Sequence, residues 1–266
     1  MPSSIKMYYK IISVLVQINH LDLPVCWEKF ACSSIIDSEM DVDILQDTQV
    51  GSILESYDLP NKDMVCYRYQ REIMFTDKNW RHIYILSPWN IENLLIFIIR
   101  GFVAHAVQRQ IIQFHSSLID FRGHGLMFLG PSGIGKTTQA ELWNQYRDAL
   151  IINGDIVFVQ ETKGAFLGWG TPWHGSSPYC ENTNVPVDAL IVLKQDEENS
   201  IRELIGFEKV SAVSNSVFYP QWLENGMDLC LEVLDHLLTS LPVYELCCRP
   251  DEEAVALTEK TIFKMK

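Results

Sequence analysis

The chain has 266 residues, of which 47% are apolar, enough to build one large domain or two small ones around an ordinary core. Its formal charge of -13, with no basic run, excludes the Lys- and Arg-rich surfaces that hold nucleic acid. The cysteines at 26, 32, 66, 180, 230, 247 and 248 are odd in number and lack C-x-x-C spacing, which favours free thiols in a reducing cytoplasm over a disulfide framework or zinc site.

Residues 1–90 read as a β-rich accessory region. Ile5 to Ile18, Val65 to Thr76 and Arg81 to Ser87 are rich in Tyr, Ile and Val, with turn residues between them. Met1 to His20 alternates like a strand and carries Lys6 and Lys10, so no secretion signal is expected. The acidic stretch Asp37 to Asp47 reads as a solvated loop or edge. Pro88-Trp89-Asn90 then starts a helix, with Asn90 as N-cap and Ile91 to Gln108 as its body. Its most apolar part, Leu94 to Val107, is interrupted by Arg100 and is too short to cross a bilayer. Residues 91–109 are therefore expected to form a buried connecting helix, with no membrane partner.

From Gln110 the texture changes to short apolar strands: Phe114 to Phe121, Leu126 to Leu129, Ala149 to Ile152, Ile156 to Gln160, Phe166 to Trp169 and Val187 to Leu193. Gly123-His124-Gly125 looks like a hairpin turn between the first two. Next comes Gly130-Pro131-Ser132-Gly133-Ile134-Gly135-Lys136-Thr137-Thr138, which fits the phosphate-cradling pattern G-x-x-x-x-G-K-[ST] at every fixed position. Glycines let successive N–H groups converge on phosphate oxygens, while Lys136 and the Thr137 hydroxyl reach toward the terminal phosphates and a magnesium ion. A strand enters the loop and a helix, Lys136 to Tyr146, leaves it, as a nucleotide site requires. Two more helices, Met227 to Thr239 and Asp251 to Lys264, flank a strand at Val243 to Cys247.

Around the loop stand further candidates. Asp155, at a strand end, is placed to bind magnesium and orient the γ-phosphate, although an Asx turn would also put an aspartate there. His115 begins the strand before the loop strand, so the hairpin returns it to the loop's mouth; spacing alone leaves a structural role open. Gly168 to Ser177, with Trp173, His174, Gly175 and Ser176, is glycine-rich and aromatic and is expected to line the site and touch an acceptor, or else to be a compact turn with buried tryptophans. Arg202 reads as an exposed salt-bridge partner more readily than as a phosphate clamp.

The segments Phe114-His115-Ser116-Ser117-Leu118-Ile119-Asp120 and Gly125 to Thr138 resemble the bacterial HPr kinase/phosphorylase catalytic domain, and phosphoenolpyruvate carboxykinases show a similar order of histidine, hairpin, loop and downstream acids. The likeness covers about residues 110 to 195. It implies an α/β fold, a P-loop core of mixed sheet with flanking helices, with residues 110–266 as the nucleotide-binding catalytic domain beside the β-rich N-terminal region. It further implies ATP and Mg2+ as cofactors, a hydroxyl on a peptide or small protein as phosphoacceptor, with a small-molecule hydroxyl such as free serine as the alternative, and self-assembly as an open possibility. By position it makes His115 an active-site residue, Lys136 and Thr137 phosphate and magnesium contacts, and Asp155 the second of two acids. The first acid is replaced by Gly154, so either Asp155 does both jobs, or His115 takes the proton. Glu161 or Glu181 near the acceptor would restore the missing acid; a bare pocket would favour a nucleotide-binding regulatory protein.

Overall fold

The structure is a computed structural model describing residues 6–19, 22–33, 37–45, 64–69, 72–86 and 90–263. Gln46, Asp47, Pro88, Trp89 and the ends of the expected segments at Ile5, His20, Ser87 and Lys264 lie outside them. Among the described residues the chain is a mixed α/β protein with two mixed sheets and six helices, one of them a 3-10 helix, Val25–Phe30. It divides into two compact units: Met1–Arg109 with Pro220–Gly226, and Gln110–Tyr219 with Met227–Lys266.

The first unit carries a seven-stranded sheet in the order β3-β1-β2-β4-β7-β6-β5. The segment expected as one strand is a hairpin, β1 (Met7–Ile11) and β2 (Val14–Ile18), reversed at Ile12 with φ 60°. Short β3 (Ala31–Cys32) edges the sheet. The acidic stretch is a correction to the sequence reading: it holds β4 (Met40–Leu45), lying inside the sheet with β2 and β7 parallel on its two sides. Met-Asp-Val-Asp has a period of two, so Met40 and Val42 are fully buried while Asp41 and Asp43 take the other face. β5 (Met64–Tyr69), β6 (Glu72–Asp77) and β7 (His82–Leu86) complete the sheet. Helix α1 (Ile91–Val107) belongs to this unit and packs on β4 and β7. Asn90 caps it, its side chain accepting from Asn93 N–H at 2.8 Å. No helix of the described residues is long and apolar enough to cross a membrane.

The second unit carries a nine-stranded sheet. Its spine is β8 (Ile111–Phe121), joined to β9 (His124–Leu129) by a two-residue turn, Arg122 and Gly123, both at positive φ (57° and 86°), the arrangement that matches strand twist. Asp120 secures the turn by accepting from Gly123 N–H at 2.7 Å. Helix α2 (Lys136–Arg147) leaves the loop after β9, followed by β10 (Leu150–Asn153), β11 (Ile156–Thr162), β12 (Ala165–Trp169) and β13 (Asn184–Gln195). β13 pairs parallel with β9 and with β16 (Val243–Cys248). Beyond the sequence expectations lie β14 (Ser200–Leu204), helix α3 (Gly206–Ser214) and β15 (Val217–Phe218). Helices α4 (Gly226–Ser240) and α5 (Glu252–Phe263) close the chain. Ala140 and Trp143 of α2 and Ala254 and Val255 of α5 bury against Phe121, Phe128, Ile191 and Leu246, forming the core on one face of the sheet. At about 1.5–3 kcal/mol per fully buried large side chain, that cluster anchors α2, and with it the loop that starts the helix.

One handover in β8 positions everything that follows. Its first half, through His115, pairs with β11; its second half, from Ser116, pairs with β9. The loop leaving β9 at Leu129 and the turn entering β11 at Ile156 therefore meet at the same point of β8, where Ser116 N–H donates to the Asp155 carbonyl at 3.0 Å.

Candidate functional site

The candidate phosphate loop, Gly130 to Gly135, turns on glycines at φ 137°, 79° and 113° at positions 130, 133 and 135. A Cβ at 133 or 135 would touch nothing, so these positions require glycine for its conformation rather than for lack of room. Helix α2 begins at Lys136 without a side-chain cap and without an acid in its first turn. Its first N–H groups and the positive end of its dipole are thus met by no side-chain cap or first-turn acid, the condition under which a helix start can take an anion. The Lys136 side chain is buried and curls under the loop, Nζ donating to the carbonyls of Gly130 at 3.1 Å and Pro131 at 3.2 Å. Burial holds its pKa below the ordinary lysine value, and the Asp155 carboxylate works the other way.

Two hydroxyls tie the loop to its neighbours. Ser117 of β8 donates to the Lys136 carbonyl at 2.8 Å, and Thr137 donates to the Gly154 carbonyl at 3.0 Å. The second bond sets the turn from β10 to β11 against the start of α2. That turn is shaped by Asn153, fully buried, whose Oδ1 accepts from the N–H groups of Asp155 and Ile156, both at 3.0 Å. Its Nδ2 donates to the carbonyls of Thr171 at 3.3 Å and Trp173 at 3.0 Å. Asn153 is thus the Asx residue of the turn, leaving the Asp155 carboxylate free to face His115.

His115 Nε2 lies 2.9 Å from Asp155 Oδ1, both side chains part-exposed. The His115 backbone N–H donates to the Ser216 carbonyl at 2.8 Å, which fixes the strand beneath the ring. The segment 174–177 closes over the other side of Asp155. At Gly175, with φ 57°, a Cβ would stand 1.8 Å from Asp155 Oδ2. At Gly154 a Cβ would stand 1.9 Å from the Ser177 hydroxyl. The room a first acid would need is therefore taken by Ser177.

Of the sequence candidates, the structure brings together Gly130 to Thr138, His115 and Asp155, with Gly175 against the carboxylate. Trp173 is buried, as in the compact-turn alternative, its ring 6.1 Å from Phe158 and its carbonyl accepting from Asn153 Nδ2 at 3.0 Å. His174 turns back on its own segment, Nδ1 against the Ser177 carbonyl, while Ser176 is exposed. Glu161 pairs with His236 at 3.1 Å. Arg202 forms ion pairs with Glu245 and Glu208, each at 3.0 Å, as the salt-bridge reading expects. Sequence reasoning missed the support that Asn153 gives, for which the Asn-Gly-Asp order was the available signal; it placed Ser177 in the segment expected to line the site, but as an acceptor contact rather than against Gly154.

Two clefts meet at the loop. One, about 740 Å³, runs from His115, Gly130 and Pro131 to α3, with Arg202 and Glu245 in its wall. The other, about 360 Å³, lies against Gly133, Gly135 and Thr138, with Gln195, Asp196 and Pro250 opposite. Neither Glu161 nor Glu181 lines them. The arrangement offers amides and an ammonium to a polyphosphate, hard oxygen donors at Asp155 and Thr137, and an imidazole–carboxylate pair able to accept a proton.

No family model matches the chain. Among solved structures, the HPr(Ser) kinase/phosphatase from Coxiella burnetii aligns with 57% of this chain and 97% of its own length, at 11% identity and a TM-score of 0.34.

Proposed function

We propose that the chain is an ATP- and Mg2+-dependent kinase that transfers the γ-phosphoryl group to a serine or threonine hydroxyl of a small protein or peptide. The observation that carries this reading is the meeting of the phosphate loop, Lys136 and the His115–Asp155 pair at one point of β8. The loop amides and Lys136 hold the triphosphate by charge and hydrogen bonds. Asp155 and Thr137 are the hard oxygen donors that magnesium takes and would hold it; bound there it neutralises charge on the phosphate oxygens. Asp155 accepts from His115 Nε2–H, which leaves Nδ1 as the basic nitrogen. The acceptor oxygen bonds to the γ-phosphorus, the bond to the bridging oxygen of ADP breaks, and the hydroxyl proton passes to Nδ1. One histidine supported by one acid thus does the work that the resembling kinases divide between two acids.

A second reading has an observation of its own. Ser177 fills the place of the first acid and neither Glu161 nor Glu181 lines the clefts to replace it, as in a nucleotide-binding regulatory protein that has lost turnover. Labelled ATP, magnesium and the peptides or small proteins encoded beside the gene separate the two, with any phosphate located by mass. Phosphate on a hydroxyl, reduced about 10²–10³-fold by Lys136→Ala and about 10²–10⁴-fold by Asp155→Asn, supports the kinase. Calorimetric binding of Mg-ATP without transfer to any acceptor supports the regulatory protein, and no binding at all removes both.

A further inference from the structure

Helix α3 is built the wrong way round for a helix that only closes a core. Of its nine residues Val213 alone is buried, while Phe207 is 83% exposed and Val210 44%, directly after Ile205 at 73%. Phe207 and Val210 are three apart and so share one stripe. The adjoining stripe, Glu208, Ser211, Ala212 and Asn215, lines the larger cleft. Large apolar side chains held in water at the rim of a cleft mark a binding surface.

We propose that this rim docks the phosphoacceptor as an extended polypeptide carrying an apolar side chain a few residues from its serine or threonine; this rests on the kinase reading above. Continuity with the reacting groups identifies the occupant. The far end of α3 is anchored beside His115, whose N–H donates to the Ser216 carbonyl. From there to Val210 and Phe207 is about 9–14 Å at 1.5 Å per helical residue, a span of about three to four residues of extended chain. A hydroxyl at His115 therefore lays a neighbouring side chain on the stripe. Charge does not offer the alternative handle: Lys194 and Arg202 are both paired with Glu245, and Arg202 also with Glu208, so among the described residues the cleft has no spare cation to select a small anionic acceptor.

The test uses the full chain, labelled ATP with magnesium, and a library of ten-residue peptides with one serine and a leucine or phenylalanine moved through each flanking offset, the other positions polar. Free serine and threonine are included. We expect phosphorylation to favour an apolar residue at a fixed offset of about three to four, and the double variant Phe207→Ser/Val210→Ser to lower kcat/KM for that peptide about tenfold or more, the worth of one lost apolar anchor. Mg-ATP affinity should not change. Equal labelling at all offsets, an unchanged preference in the variant, or transfer to free amino acids alone overturns the docking surface and leaves the kinase standing. Mg-ATP binding without any transfer also overturns it, and absent Mg-ATP binding takes down the kinase reading itself. A wild-type dimer that the double variant dissolves in sedimentation would assign the stripe to a self-interface instead.

Discussion

At position 154 a side chain has nowhere to go. Gly154→Asp would rebuild the acid pair of the resembling kinases on paper, but its Cβ would fall 1.9 Å from Ser177 Oγ and 2.6 Å from Ser177 Cβ. The turn cannot yield cheaply, because Asn153 and the Thr137 hydroxyl hold it from both sides. We expect Gly154→Asp to cost about 1–3 kcal/mol, as overpacking does, and to displace Asp155 from His115. Adding Ser177→Gly should return most of that loss, so that urea midpoints of the two single variants and the double show a favourable coupling. Additive effects would mean the two positions do not compete for the same space. Much of this site was legible in the residues themselves. The glycine and lysine pattern of residues 130–138 is local and needs no partner to be read, and hairpin spacing predicts that His115 returns to that loop, where the structure has it beside Asp155. Asn153 and Ser177 were not legible as a pair of supports, because their meaning depends on which loop folds over the turn, a contact between segments that no local pattern encodes.

Elements were readable where their pattern repeats and unreadable where charge hid it. Strand β4 carries enough aspartate to look like a loop, yet its period of two places every acid on one side. Helix α3 has no inward apolar stripe for a sequence reading to find. Helix α1 was plain, but its end conceals a titrating group. His105 is buried, Nδ1 donating toward the Asn79 carbonyl at 3.4 Å and Nε2 facing the Arg109 guanidinium, which Glu39 binds at 2.9 Å. Burial, helped by Arg109, lowers its pKa from 6.5 to about 4. Between those values the unfolded chain binds the proton that the folded chain refuses, so stability is full above pH 6.5 and falls as pH drops toward 4. The loss should reach about 3 kcal/mol, at 1.36 kcal/mol per pH step. His105→Gln, neutral throughout, should flatten this slope in urea titrations at a series of pH values. An unchanged slope would show that His105 is already protonated in the fold.

The order of units along the chain is less simple than a β-rich region followed by a nucleotide-binding one. After Tyr219 the chain leaves the second unit, contributes Pro220–Gly226 to the first, and returns at Met227. That segment meets Arg100, the charge that interrupts α1. Its guanidinium carbon sits 5.0 Å from the ring centre of Tyr67 and 5.0 Å from that of Trp222, and it also hydrogen bonds the Tyr67 hydroxyl. A cation that would otherwise spoil an apolar helix is thereby accommodated between two aromatic faces, one from β5 and one from a segment far along the chain. Such contacts are worth about 0.5–2 kcal/mol each, more when water is excluded. Trp222→Ala should therefore loosen the first unit by about 1–2 kcal/mol, and hydrogen exchange should locate the effect. Faster exchange is expected in β5 and α1, while the amides of β8, β9 and β13 keep their protection. Loss of protection across both sheets would instead mean that the effect of Trp222 is not confined to the first unit.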